Sequence, residues 1–107
     1  MSAILDRIAG QTIPRAFLNT VAARGDAVAL RWKEGEDWRE MTYAQYRDAV
    51  ARAAAGLRDL GVGRGDRVVL MLRNSPEFHV LDTATLFLGA TPVSIYNSSS
   101  SEQIEYL

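Results

Sequence analysis

Three features of this 107-residue sequence predict an α/β fold. A continuous apolar run, Val68-Val69-Leu70-Met71-Leu72, has the length and composition of a strand covered on both faces. Helix-start chemistry follows at Asn74-Ser75-Pro76-Glu77, and then a second short strand, Pro92 to Tyr96. Strand, helix and strand in that order make one crossover unit, expected to be parallel and right-handed. Upstream, two strand-like segments separated by Glu34-Gly35-Glu36-Asp37 read as a β-hairpin. The architecture expected is a parallel βαβ unit plus a β-hairpin and packing helices.

Taken in order, Thr12 with Pro14 in the first turn opens a helix whose apolar face is Ile13, Phe17, Leu18, Val21 and Ala22. Arg24-Gly25-Asp26 closes it. From Ala27 to Lys33 the pattern alternates, with Val28, Leu30 and Trp32 on one side and Ala29, Arg31 and Lys33 on the other, as in a half-buried strand. Trp38 to Met41 returns as its partner, and Trp32 and Trp38 are expected to face each other across the hairpin. Thr42-Tyr43-Ala44-Gln45 is a capping box, with a hydroxyl at the N-cap and Gln three residues on. The helix it opens carries an apolar stripe of Tyr43, Tyr46, Val50, Ala53, Leu57 and Leu60, and ends at Gly61. Gly61 to Asp66 is a glycine-rich connector. The Pro76 helix runs to about Leu88 and becomes apolar nearly all round at Leu86, Phe87 and Leu88, which predicts burial on more than one side. Ser98 to Leu107 reads as the opening of a further helix with no stop signal, so the α/β pattern is expected to continue past Leu107.

Composition narrows the function classes. Hydrophobic residues make up 48% and charged residues 23%, the proportions of an ordinary globular domain. A chain of this length buries roughly 60–65% of its unfolded surface, enough for a small core. The net charge of −1 gives no electrostatic case for nucleic acid or an acidic membrane. With no cysteine there is no disulfide and no thiolate zinc site, which fits a reducing cytoplasm. One histidine, His79, excludes a multi-histidine metal site within the chain. The start, MSAILDRIAG, is too short and too charged for a signal peptide, and no stretch approaches the ~20 apolar residues of a membrane span.

Each candidate signal has a plain structural reading beside the functional one. Gly61-Val62-Gly63-Arg64-Gly65 invites a nucleotide reading, but it follows a helix and precedes a strand. A phosphate cradle needs the opposite order, so that a helix N-terminus points at the anion. A helix C-cap with a tight turn accounts for it. Arg64-Gly65-Asp66 spells an adhesion tripeptide and is read as a turn. His79 has no second acid or base placed to orient it, so a packing role outweighs a catalytic one. The serine run Ser98 to Ser101 has no partner base and fits helix capping. Asn97-Ser98-Ser99 is a glycosylation sequon without a secretion signal. From these residues alone the reading is an α/β scaffold without catalytic parts.

Three ordered segments resemble the N-terminal part of the adenylate-forming (AMP-binding) acyl-CoA synthetase superfamily. They are Trp38-Arg39-Glu40-Met41-Thr42-Tyr43-Ala44-Gln45-Tyr46, then Ala53 through Leu57 to Gly61-Val62-Gly63-Arg64-Gly65-Asp66-Arg67-Val68, then Asn74-Ser75-Pro76-Glu77-Phe78 followed by Leu88-Gly89-Ala90-Thr91-Pro92-Val93. Gln45 and Tyr46 stand where the family more often has Glu and Leu; both keep the capping and the apolar face. The ending SIYNSSSSEQIEYL is most similar to bacterial long-chain fatty-acid–CoA ligases. The resemblance covers about residues 12–107, with 1–11 as an N-terminal extension, and implies a single N-terminal fragment of a synthetase domain.

In the family, a carboxylate attacks the α-phosphate of ATP to give an acyl-adenylate, and coenzyme A thiol then displaces AMP. The resemblance implies ATP, Mg²⁺ and coenzyme A for the full-length enzyme, and none for this fragment. It places the phosphate loop, the acyl pocket and the catalytic lysine downstream of Leu107. No catalytic, cofactor-binding or metal-binding residue is therefore assigned here, and Lys33 does not match the family's lysine. The partners implied are the rest of the same synthetase chain and, for the whole enzyme, a fatty acid; nucleic acid is not expected. The fragment is expected to be inactive alone, cytoplasmic and prone to self-association. Two alternatives stay open: an adenylating enzyme for another carboxylic acid, and a non-catalytic free-standing interaction domain.

Overall fold

A computed structural model of the chain describes residue 10 and residues 12–95. The expected N-terminal extension, the end of the last strand at Tyr96, the Asn97 sequon, the serine run and the helix opening at Ser101 lie outside the described residues, Gly10 excepted. The order of elements is α1 (Ile13–Arg24), β1 (Val28–Glu34), β2 (Asp37–Thr42), α2 (Tyr43–Asp59), β3 (Arg67–Leu70), α3 (Pro76–Phe87) and β4 (Thr91–Ser94). It is the α/β arrangement expected, built as two two-stranded sheets and three helices among the described residues.

Thr12 is extended, and its hydroxyl accepts the Arg15 N–H at 3.2 Å, so α1 starts where the sequence placed it. Its face is only partly covered. Val21 is buried and Phe17 half-buried, whereas Ile13 is 66% and Leu18 45% exposed. Phe17 stands edge-on to Tyr46 of α2 at 5.0 Å and to Phe87 of α3 at 5.9 Å, so one ring ties the three helices together.

β1 and β2 pair antiparallel around the two-residue turn Gly35-Glu36. Gly35 has φ of +64°, the conformation the first central residue of a type II′ turn requires. The even loop sets the register: Trp32 lies opposite Arg39, and Trp38 opposite Lys33. The two tryptophans therefore do not face each other as expected. One residue out of register, their rings fall on opposite faces of the ribbon, and Trp38 is 64% exposed. A bulge between Val28 and Leu30 breaks the alternation and leaves Val28 41% exposed.

The capping box of α2 is complete: the Gln45 N–H donates to the Thr42 hydroxyl at 3.2 Å, and the Thr42 N–H donates to Gln45 Oε1 at 2.9 Å. The Tyr43 and Ala44 N–H groups donate to the Ala27 and Gly25 carbonyls, each at 3.0 Å. All of the first helical donors are thus used internally. At the other end the Gly61 N–H donates to Arg58 O and the Val62 N–H to Leu57 O, with Gly61 at φ of +96°. This is a Schellman termination. Val50 is buried and Tyr43, Tyr46, Ala53 and Leu57 are half-buried, but Leu60 is 82% exposed, because it is the cap residue and lies past the helical stripe.

β3 and β4 are parallel, with Val69 beside Val93 and Leu70 beside Ser94, and α3 packs on them as the crossover. Ser75 caps α3, accepting the Phe78 N–H at 3.4 Å. Ala84 and Thr85 are fully buried, and the Thr85 hydroxyl satisfies itself by donating to Leu81 O at 2.7 Å. The strand is shorter than the apolar run that predicted it: it stops at Leu70, and Met71 and Leu72 are 45% and 39% exposed. Nor are both faces of the sheet covered by the described residues. Leu70 is buried at 5%, but Val69, on the other face, is 55% exposed.

Candidate functional site

Side chains from different elements converge at three places, and each has a chemistry that can be read from its atoms. The first joins α2 to α3. The Tyr46 hydroxyl lies 3.1 Å from the His79 carbonyl and 2.9 Å from the Thr83 hydroxyl. Tyr46 has one proton to give and the carbonyl can only accept, so Tyr46 donates to His79 O and Thr83 donates to Tyr46. Burial pushes the Tyr46 phenol above its ordinary value; the Thr83 hydrogen bond opposes this, and Asp82 and Tyr43 add to it. A phenol held protonated is a helix clamp, not an acid–base group for neutral pH. Sequence reading saw Tyr46 as part of an apolar stripe. Its polar partner was hidden because Thr83 lies 37 residues away.

The second is a cleft of about 160 Å³ between β1 and the start of α3, lined by Leu30, Arg31, Trp32, Asn74, Ser75, Pro76 and His79. His79 Nε2 is 3.3 Å from Asn74 Oδ1, and its ring stands edge-on to Phe78 at 5.7 Å. Arg31 is paired with Glu40 at 2.9 Å across the hairpin, both side chains half exposed or more. The polar groups here already have partners, and the space is below the ~300 Å³ at which small-molecule pockets begin. The histidine singled out in the sequence is a packing residue at a helix start.

The third is an apolar groove of about 360 Å³ lined by Met41, Ala49, Pro76, Glu77, Val80 and Leu81. It offers burial but no converging donors for a developing charge.

The glycine connector is not a phosphate cradle in its geometry either. It leaves the carbonyl end of α2 and enters β3. The Gly63 N–H, which a cradle would turn to an anion, donates to the Asp66 carboxylate at 2.7 Å. The Gly65 N–H donates to Gly89 O at 3.2 Å, and Asp66 O accepts from the Thr91 N–H at 2.8 Å. The connector's work is to lock β3 against the turn that leads into β4. Lys33 lies opposite Trp38 near the hairpin turn, exposed. No group of three His, Asp or Glu side chains among the described residues could hold a metal ion, and none of their helices is long and apolar enough to cross a membrane.

What the arrangement matches is a known piece of a larger machine. Residues 17–107 match the family described as AMP-binding enzyme. The chain belongs to the AMP-binding enzyme family. Within it, the chain is 38% identical over 96 residues to the long-chain-fatty-acid–CoA ligase ACSBG2 of Xenopus laevis, covering 90% of this chain and 13% of the ligase. It is 45% identical over 96 residues to an uncharacterized protein of Mycobacterium tuberculosis, covering 90% of this chain and 54% of that protein. The chain thus spans about half the length of that curated relative, and far less of the ligases.

Among solved structures, the fold of this AMP-binding family member is similar to the NpsA N-terminal subdomain of Klebsiella oxytoca in complex with anthranilyl-AMSN. The TM-score is 0.83 at 25% identity, covering 90% of this chain and 24% of that one. It is also similar to the fatty acyl CoA synthetase of Mycobacterium tuberculosis, with a TM-score of 0.79 at 30% identity, covering 88% of this chain and 18% of that one. The α/β architecture read from the sequence is therefore that of the start of adenylate-forming enzymes.

Proposed function

We propose that this chain is the N-terminal scaffold segment of an ATP-dependent long-chain fatty-acid–CoA ligase. The observation that carries the reading is the 38% identity to the Xenopus ligase along 96 residues. A 41% identity over 70 residues to the ligase FadD15 of Mycobacterium bovis supports it. The whole enzyme would use ATP, Mg²⁺ and coenzyme A. In support of ATP being held elsewhere in that enzyme, the Gly63 N–H of the glycine cluster is already engaged by the Asp66 carboxylate at 2.7 Å, where a phosphate would need it free. The segment's contribution is to supply a capped, cross-braced framework against which the substrate-handling parts are built. The likeness to the Klebsiella subdomain solved with an anthranilyl ligand favours a second reading, adenylation of another acid, but at the lower identity of 25%.

The test replaces the aligned segment of the Mycobacterium tuberculosis fatty acyl CoA synthetase with this chain and assays acyl-CoA formation on long-chain, aryl and amino acids. Retained long-chain activity is the expected result. A folded chimera with no long-chain activity refutes the scaffold reading. The isolated chain should bind no ATP by calorimetry, and a micromolar binding isotherm would likewise overturn it.

A further inference from the structure

At its amino end the parallel pair β3–β4 is gathered on one residue, Asp66. Its carboxylate accepts the Gly63 N–H at 2.7 Å, its own N–H donates to Gly63 O at 3.1 Å, and its carbonyl accepts the Thr91 N–H at 2.8 Å. The first two bonds close the turn of residues 63–66 from both sides, which fixes where the Asp66 carbonyl points. The third ties that turn to the first residue of β4. Across the same junction the Gly65 N–H donates to Gly89 O at 3.2 Å. The stem of Arg64 lies over Gly89, where an added Cβ would meet its atoms at 3.5 Å.

This clasp decides the register of the pair. Odd-numbered residues on the β4 side donate toward β3: Thr91 to Asp66 O, and Ile95 to Leu70 O at 3.0 Å. A slip of one residue would call on even-numbered donors, and Pro92 has no N–H to give. A slip of two keeps the parity but breaks the Gly65–Gly89 bond. Register bears on chemistry because ligands of open α/β sheets bind outside the carboxyl ends of the strands. There β3 hands over to residues 71–75 and the start of α3. A four-residue strand spans roughly 13 Å, so a shift at the clasp is carried that far to the opposite end. We propose that Asp66 is a positioning residue for the reaction of the whole enzyme, holding β3 and β4 in the register that aims the loops at their carboxyl ends. It acts through the strands, from the far end of the sheet. The inference rests on the scaffold reading for the reaction served, and on the hydrogen bonds for how Asp66 serves it.

The test uses the chimera in which this chain replaces the aligned segment of the Mycobacterium tuberculosis fatty acyl CoA synthetase. It reads kcat and KM for acyl-CoA formation, thermal unfolding, and amide exchange over residues 91–95. A misplacement of about 1 Å remote from the chemistry can cost about a hundredfold in rate, so Asp66→Ala should lower kcat by about fivefold or more, with KM for the fatty acid within about twofold. Exchange at the Thr91 N–H should quicken in the same variant. Asp66→Asn keeps an acceptor oxygen for the Gly63 N–H and should retain about half of kcat or more. Gly89→Ala strains the other half of the clasp, at φ of +73°, and should also lower kcat; it keeps the test decisive where Asp66→Ala does not fold. Val50→Ala, a buried change in α2 away from the clasp, should lose at least as much thermal stability and less than about twofold in kcat. An active chimera whose Asp66→Ala variant keeps kcat within about twofold overturns the inference and leaves the scaffold reading standing. So does a loss no greater than that of Val50→Ala, or an Asp66→Asn variant no better than Asp66→Ala. A folded but inactive parent chimera removes the scaffold reading, and this role with it.

Discussion

Replacing Tyr46 by Phe removes one oxygen from the junction of α2 and α3 and leaves the ring in place. The hydroxyl makes two hydrogen bonds, at 3.1 Å to His79 O and 2.9 Å to Thr83. Two part-buried bonds at about 1 kcal/mol each suggest a loss of about 2 kcal/mol. The groups left behind can relieve one another, however. Thr83 lies four residues after His79 on α3, so its hydroxyl can turn and donate to the same carbonyl, as buried Thr85 already does to Leu81. The expected cost is therefore about 1 kcal/mol, or about 4 °C in Tm for a chain of this size. Tyr46→Ala also loses the edge-on contact with Phe17 at 5.0 Å and should cost about 3 kcal/mol. Urea unfolding of wild type, Tyr46→Phe, Thr83→Val and the double variant gives the coupling directly, expected at about 1 kcal/mol. A Tyr46→Phe midpoint indistinguishable from wild type, or strictly additive single variants, would refute the clamp.

The same residue sets a pH dependence. Burial is the leading cause that raises the Tyr46 phenol, so the folded state holds the proton to higher pH than the unfolded chain does. The stability this contributes is intact below the unfolded value of about 10 and is lost as pH rises through the folded value. The wild-type advantage over Tyr46→Phe should shrink above about pH 10, measured as the difference in urea midpoints.

Thr42→Ala removes the acceptor of the Gln45 N–H and half of the capping box; it should cost about 1 kcal/mol in denaturant unfolding, and Thr42→Ser should recover most of it. Gly89→Ala should cost about 1–2 kcal/mol because Gly89 sits at φ of +73°, a conformation an L side chain rarely adopts; Gly63→Ala, at ordinary φ and with open space around it, should be near neutral by the same assay. Val50→Ala, at 3% exposure in the middle of α2, should cost about 2 kcal/mol, more than Leu57→Ala, whose side chain is only half-buried.

Local chemistry made most of this fold legible, and its misses have one kind of cause. The caps at Thr12, Thr42 and Ser75 were readable because a hydroxyl and the N–H it accepts are three residues apart in the chain. The parallel pairing of β3 with β4 was readable because a single helix between two strands leaves little choice. The tryptophan pair failed because facing depends on whether the turn is even or odd, a parity that shifts with one residue. The Tyr46 clamp was missed because its partners come from another helix.

The exposed face is the most instructive departure. Composition said that Val68 to Leu72 is covered on both sides, and among the described residues only one side is. An apolar run reflects everything a strand packs against in its whole domain, so it can call for more cover than the described residues supply. Val69 is the residue where pattern and geometry differ most: it sits within β3, and yet is 55% exposed among the described residues. In the Xenopus ligase the aligned segment is 13% of the protein, so in that relative most of the chain that could pack against such a strand lies outside the segment matched here.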